Sequence, residues 1–260
     1  MKISENTILV TGGGSGIGLA LAEEFKRLDN EVIVAGRSQT KLEDAKAKGL
    51  KTFPVDMTSE ESIKALASQV IAQHPTLNVV IHSAGIMANE KLASRDNSKT
   101  AAETVATNLL GPIYLTNALL PHFIKQKVAT IITVTSGLAF VPLVMTPSYS
   151  ATKAAIHSYT QSLRYQLKDT SIEVKELVPP YVRTSLMGER QAGDANAMRL
   201  DEFVNEVISI LRDQPHAEEI LVKRVHAQRF AGFDMQKYEE FFKKQNETLL
   251  TARKHDWDAL

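Results

Sequence analysis

The chain has 260 residues, which suits one α/β domain burying a core on both faces of a sheet. Its 30 basic and 30 acidic residues cancel to a formal net charge of zero, so the sequence lacks the charge excess that would point to nucleic acid or an acidic membrane surface. There is no cysteine, which excludes disulfides, thiolate nucleophiles and cysteine-ligated metals. The polar start, Met1 to Asn6, has no apolar leader, and together with the lack of cysteine it fits a cytoplasmic protein.

The elements alternate strand with helix. Thr7 to Val10 is a short apolar run entering a glycine cluster. Ile17 to Leu28 has helical spacing, with Ile17, Leu21, Phe25 and Leu28 on one face. Val32 to Ala35 is a second strand, closed by Gly36; Ser38 caps the next helix and Gly49 ends it. Thr52 to Val55 is a third strand, and a helix follows from Ser59 until His74-Pro75. Leu77 to His82 and Ala129 to Val134 are the fourth and fifth strands, with one long helix between them over roughly Lys99 to Lys125. The uncharged run from Val128 to Thr152 is long enough to span a bilayer, but its Ser, Thr, Gly and two prolines (Pro142, Pro147) predict a buried strand and an apolar loop. Ser148 to Lys168 is a helix and Ile172 to Val178 a sixth strand. Pro180 to Arg199 loosens into a polar, glycine-containing stretch expected to be mobile. A helix over Asp201 to Arg212, a strand over Ile220 to Val225 and a charged helical tail over Gln236 to Lys254 complete the chain. Short apolar strands between amphipathic helices predict a Rossmann-type doubly wound parallel sheet in a single domain, 1–260.

Thr11-Gly12-Gly13-Gly14-Ser15-Gly16-Ile17-Gly18 follows the first strand and opens a helix. Glycines let the backbone turn sharply and approach a pyrophosphate, and the helix offers free N–H groups to its charge. A nucleoside-triphosphatase loop is ruled out because Leu19 stands where its lysine is required, and a hydrolase elbow because its final glycine is missing. The second strand ends at Gly36-Arg37-Ser38, where an acidic residue would favour NAD(H). Arg37 and Ser38 instead offer donors to a 2′-phosphate, pointing to NADP(H). Glu31 lies at the wrong end of that strand, about five residues at ~3.3 Å each from the ligand edge. Asp56, after the third strand and next to Met57, can accept from an adenine amino group or cap a helix.

Tyr149 and Lys153 are four residues apart in a predicted helix and so share a face. Free tyrosine titrates near ~10, and an ammonium within ~4–6 Å lowers an acid's pKa. That effect, with the positive ring of an oxidised nicotinamide pushing the same way, predicts a Tyr149 usable as an acid or base near neutral pH. Alone, the pair reads more readily as a surface Tyr and Lys of an amphipathic helix.

The TGxxxGxG element at Thr11 to Gly18 and the YxxxK element at Tyr149 to Lys153 resemble the single-domain short-chain dehydrogenases/reductases. Ser136 after the fifth strand, Asn108 in Asn108-Leu109-Leu110-Gly111, and His82-Ser83-Ala84-Gly85 in place of the family's NNAG element agree with it. Val178-Pro179-Pro180-Tyr181-Val182-Arg183-Thr184, with a second proline where relatives carry glycine, resembles a bacterial branch associated with the D-alanine transfer operon. The resemblance implies an oxidoreductase in which Tyr149 exchanges the proton, Lys153 tunes it and binds ribose, Ser136 holds the reacting oxygen and Asn108 supports Lys153 through a water chain. It extends the cofactor contacts to Gly12, Gly14, Ser15, Gly16, Ile17, Gly18, Met57, Ser83, Ala84, Gly85, Pro179, Val182 and Thr184, and implies a homodimer or homotetramer. His82 reads as a satisfied structural histidine.

The apolar stretch from Gly137 to Met145, with Tyr181, Leu186 and Met187, predicts a small, partly apolar carbonyl or alcohol substrate at the carboxyl ends of the strands. No HExxH is present, and no metal site, nucleic-acid partner or membrane partner is expected. The competing readings are a cofactor-binding sensor, an epimerase or dehydratase like the extended relatives, which usually carry a longer substrate domain after the sixth strand, and an interaction protein that uses the charged tail as its surface.

Overall fold

The computed structural model describes residues 1–254. Seven strands, β1 (Thr7–Thr11), β2 (Glu31–Gly36), β3 (Lys51–Pro54), β4 (Leu77–His82), β5 (Ala129–Val134), β6 (Ile172–Val178) and β7 (Glu219–Leu221), form one sheet in the order β3-β2-β1-β4-β5-β6-β7. Every pairing is parallel. The order reverses beside β1, and the crevice at the carboxyl ends of β1 and β4 is where such sheets bind ligands.

Strand periodicity divides the core in two. Ile8 and Val10 of β1, with Val32 and Val34 of β2, pack on one face with α1 (Gly16–Arg27) and α8 (Leu200–Asp213). Leu9, Ile33 and Ala35 face the other layer, with α3 (Glu60–Gln73), α5 (Gly111–Phe123) and α6 (Pro147–Leu167). Alternate side chains emerge on opposite faces, so a strand buried on both is apolar throughout.

Local chemistry accounts for the boundaries. Ser38 and Ser59 accept the N–H groups of Lys41 and Ser62, starting α2 (Gln39–Ala47) and α3, and Gly49 leaves α2 at φ +77°. No described helix is long and apolar enough to cross a membrane. The charge-free run from Val128 is divided among buried β5, a loop and the start of α6.

Two elements depart from their expected form. The long helix between β4 and β5 is α4 (Ser98–Val105), a π-helical turn over Ala106–Leu110, and α5. Pro112 has no N–H to give the Asn108 carbonyl, and the ladder widens just before it. The last strand stops at Leu221 and turns into a 3₁₀ segment over Lys223–Val225, because the Glu206 carboxylate captures the Lys223 N–H. The polar stretch after β6 is folded around the buried amide of Gln191, which donates to Val182 O at 2.8 Å and accepts from Met187 N at 3.0 Å. That stretch contains α7 (Glu189–Gly193) and a bridge from Val182 to Met198.

After α9 (His226–Arg229), the charged tail forms α10 (Met235–Ala252). Its buried Asn246 accepts from Val144 N at 2.7 Å and donates to Pro142 O at 3.1 Å, fixing α10 across the loop that precedes α6. Asn246→Ala leaves both loop groups without partners, at about 1–3 kcal/mol. Amide hydrogen exchange is expected to rise throughout α10 and at Val144 while the sheet stays protected; unchanged exchange would show that Asn246 does not hold this helix.

Candidate active site

The turn after β1 is set by close backbone approaches. Gly12 has φ +68°, and a Cβ there would lie 2.7 Å from Ala84 Cα. A Cβ on Gly18 would lie 2.6 Å from Gly12 O, so α1 packs directly on the turn. Ser15 begins α1 without capping it by its side chain, and the first turn carries no acidic residue. The helix's free N–H groups and partial positive charge are therefore left for an anion.

Two neighbouring cavities open at this end of the sheet. The larger, about 670 Å³, runs from Gly12, Ser15, Gly16, Ile17 and Gly18 past Ser83 and Gly85 to Ser136, Tyr149, Lys153, Pro179, Val182 and Thr184. The smaller, about 200 Å³, is lined by Gly14, Ser38, Asp56, Met57 and Ala84 and shares Gly12, Ser15, Arg37, Lys41, Gly85 and Ile86 with the first. Every residue predicted from the sequence to contact cofactor thus lines one cavity or the other. Thr107, with a buried hydroxyl that lacks a hydrogen-bond partner, also lines the smaller one. An elongated ligand with phosphates at the glycine turn and a base in the smaller cavity fits these residues.

Lys41 was not legible as a site residue. It sits one turn beyond Arg37, and its Nζ lies 3.4 Å from Ser15 Oγ. Its place in the first turn of the helix that Ser38 caps was the available signal. Asp56 turns its carboxylate to Thr58, accepting from N at 2.9 Å and Oγ1 at 2.8 Å. These bonds, with Arg37 nearby, hold it below the usual carboxylate range. Glu31 pairs with His74 at 3.0 Å, at the far end of β2.

Ser136, Tyr149, Lys153 and Asn108 come together at the end of β5. Lys153 is 6% exposed; its Nζ donates to Val134 O at 2.7 Å and lies 5.5 Å from the Tyr149 ring centroid. Ser136 hydrogen-bonds to Tyr149 and accepts from Leu138 N at 3.1 Å. Asn108, carried inward on the π turn, donates to Ile86 O at 2.9 Å and accepts from Ile86 N at 2.8 Å. It also reaches Thr152 Oγ1, and a Cβ on Gly85 would come 3.4 Å from Asn108 Oδ1 and 3.9 Å from Lys153 Nζ. Asn108 supports the loop beside Lys153 through backbone contacts that sequence did not indicate.

The electrostatics differ from the sequence expectation. Burial pushes Tyr149 up to about 12, against the opposing pull of the Ser136 hydrogen bond. Burial also pulls Lys153 down to about 8. Desolvation is the largest influence on both groups, because neither the phenolate nor the ammonium is well hydrated here. The tyrosine therefore holds its proton at neutral pH.

His82 lies outside the cavities. Its Nε2 meets Thr116 Oγ1 at 3.0 Å, joining β4 to α5, while its buried Nδ1 has no partner, so only half of the ring is satisfied. Burial lowers its pKa to about 4, which leaves it neutral. Beneath Ser136, Thr135 Oγ1 donates to Glu176 Oε1 at 2.7 Å, and His157 Nδ1 meets the same carboxylate at 2.8 Å. Glu219, close to this pair, is engaged by Arg229 at 3.0 Å.

Residues 6–195 match the short chain dehydrogenase family. The chain is 36% identical over 252 residues to the oxidoreductase DltE of Bacillus subtilis (strain 168), covering 95% of this chain and 98% of that protein. It is 28% identical to an oxidoreductase of Staphylococcus saprophyticus, over 86% of this chain and 100% of the relative. Among solved structures, a short chain dehydrogenase from Burkholderia cenocepacia in complex with NADP superposes with a TM-score of 0.78 at 22% identity, over 93% and 99% of the two chains. One from Burkholderia phymatum in complex with NAD gives 0.77 at 18% identity, over 91% and 96%.

The turn geometry yields a direct test. Gly12→Ala combines a left-handed backbone with a Cβ pressed on Ala84, at a cost of about 1–3 kcal/mol. Urea unfolding is expected to shift to lower midpoint; an unchanged midpoint would show that the turn can relax.

Proposed function

The chain belongs to the DltE-like branch of the short-chain dehydrogenase family, and on that premise we propose that it transfers hydride between NADP(H) and a small, partly apolar carbonyl or alcohol. The observation that carries this reading is the buried group of Ser136, Tyr149 and Lys153 at the wall of a cavity that begins at the glycine turn. The nicotinamide cofactor supplies or takes up the hydride when bound.

This chain's own residues handle the oxygen and its proton. Ser136 and the protonated Tyr149 hydroxyl face one oxygen of the substrate and hold its carbonyl in place. Tyr149 gives its proton to that oxygen as negative charge develops there, and the nearby Lys153 ammonium stabilises the phenolate left behind. In the alcohol-oxidising direction the phenolate accepts the proton. Asn108 keeps the Ile86 backbone and the Gly85 approach fixed beside Lys153. Both buried groups sit on α6 one turn apart, so their spacing is rigid.

NADP(H) is favoured over NAD(H) by Arg37, Ser38 and Lys41 around the smaller cavity, where the acidic Asp56 already accepts from Thr58. The Arg37 guanidinium and the Lys41 ammonium there complement a 2′-phosphate.

Two variants test the assignment. Tyr149→Phe is expected to lower carbonyl reduction by about 10²–10⁴-fold with NADPH affinity retained. Arg37→Glu is expected to weaken NADPH binding by about tenfold or more, roughly 1.4 kcal/mol, and to spare NADH. Full activity in the first variant would contradict the acid role, and equal effects on the two cofactors would contradict the NADP(H) preference.

A further inference from the structure

The oxidoreductase reading leaves the substrate end of the cavity without a chemical class. One wall of that end is α10. Phe241, Gln245, Leu249 and Arg253 line the cavity at successive intervals of four, one stripe down this helix and its C-terminal residue. The stripe is held in place: Gln245 donates to Val141 O at 3.2 Å and accepts from Gln228 at 2.8 Å, beside the Asn246 anchors. The charged tail therefore turns a mixed apolar and amide face inward, towards the space in front of Tyr149.

The charge of that space is one-sided. Among the described residues lining the larger cavity, no aspartate or glutamate occurs, while Arg224 and Arg253 both do. The two guanidinium groups reach the same turn. Arg253 Nη2 donates to Tyr181 OH at 2.9 Å, and that hydroxyl donates to Asp194 Oδ2 at 3.1 Å. Arg224 donates to the carbonyl of Asn196, two residues on. Asp194, which does not line the cavity, also receives the Asn196 N–H at 2.8 Å and offsets one positive charge. Each guanidinium keeps further N–H donors beyond the single contact named.

We propose that the substrate carries a carboxylate, held by Arg253 with Arg224, at the far end of an aliphatic stretch from the reacting carbonyl or alcohol. This deepens the oxidoreductase reading and rests on it. A carboxylate matches the planar donor fork of arginine and carries the one charge left over when Asp194 is counted. Leu138, Leu143, Leu186, Phe241 and Leu249 surround the stretch between. Such a substrate is an oxo acid or hydroxy acid of the longer aliphatic kind, its carboxylate far from the reacting centre. The inward face of α10 thereby becomes a determinant of specificity, and Arg253, at its end, the first contact for an incoming anion.

The test uses the full chain saturated with NADP⁺ and probes that need no turnover. Linear monocarboxylates from butanoate to decanoate, and their primary amides, are titrated calorimetrically into this complex. The best carboxylate is expected to bind about tenfold or more tighter than its amide, the size of a charge-assisted hydrogen bond. Arg253→Gln is expected to remove that difference and leave amide binding unchanged, and Arg224→Gln to reduce it. Should Arg253→Gln fail to fold, raising the salt concentration on the unsubstituted chain serves instead: carboxylate affinity is expected to fall and amide affinity to hold. Equal affinities, or no binding of either series to a complex that does hold NADP⁺, would overturn this inference alone. Failure to bind NADP⁺ at all would overturn the NADP(H)-dependent reading beneath it.

Discussion

The site depends on one desolvated ammonium. Lys153 is buried against the end of β5, its Nζ spent on Val134 O at 2.7 Å and its pKa drawn down to about 8. A buried cation is costly unless its surroundings are fixed, and the surroundings here are fixed from several directions. The central strands β4, β5 and β6 pair in continuous register and deliver Val134 and Ser136 to one edge. The π turn carries Asn108 inward to hold Ile86, and Gly85 allows the loop to pass within reach of the amine. Tyr149, raised to about 12 by the same burial, is the complement of this arrangement: a neutral acid next to a cation that favours its conjugate base.

The cavity has an electrostatic plan that follows its length. At the glycine turn, the uncapped start of α1, Arg37 and Lys41 provide positive potential. In the middle, Ser136 and Tyr149 supply neutral donors. At the far end, α10 adds a second cationic region through Arg253 beside an apolar wall. The tail helix, read from sequence as a possible external surface, has one of its faces turned to the cavity.

Elements whose determinants are local were legible in the sequence. The strands Leu77–His82, Ala129–Val134 and Ile172–Val178 have the bounds that their apolar runs and flanking turns imply. The glycine cluster and the Tyr149–Lys153 spacing are local in the same sense, each fixed within a turn or one helical turn, whereas Ser136 meets Tyr149 only through the packing of α6 against β5. Features set by distant partners were not legible. Nothing near residue 191 indicates that Gln191 will organise the stretch after β6 by bonding Val182 O. Lys223 leaves the last strand because of Glu206, seventeen residues earlier. The π turn at Asn108 answers to Pro112, visible in sequence, but also to the close approach of Met57 O to Gly111, which is not. The rise in Tyr149's pKa was not legible for a related reason: spacing shows the neighbouring charge but not the burial that opposes it.

The central claim is that Lys153 works as a buried cation titrating near pH 8 beside a tyrosine that stays protonated. Its most direct test is the pH dependence of kcat for carbonyl reduction with saturating NADPH, in the unsubstituted chain and in Lys153→Met. The account predicts that reduction is sustained below pH 8 and falls as pH rises through about 8, where the ammonium loses its proton, and that this fall disappears in the variant, whose rate is low throughout. A rate that instead rises through that range, or a fall that persists unchanged in Lys153→Met, would contradict it.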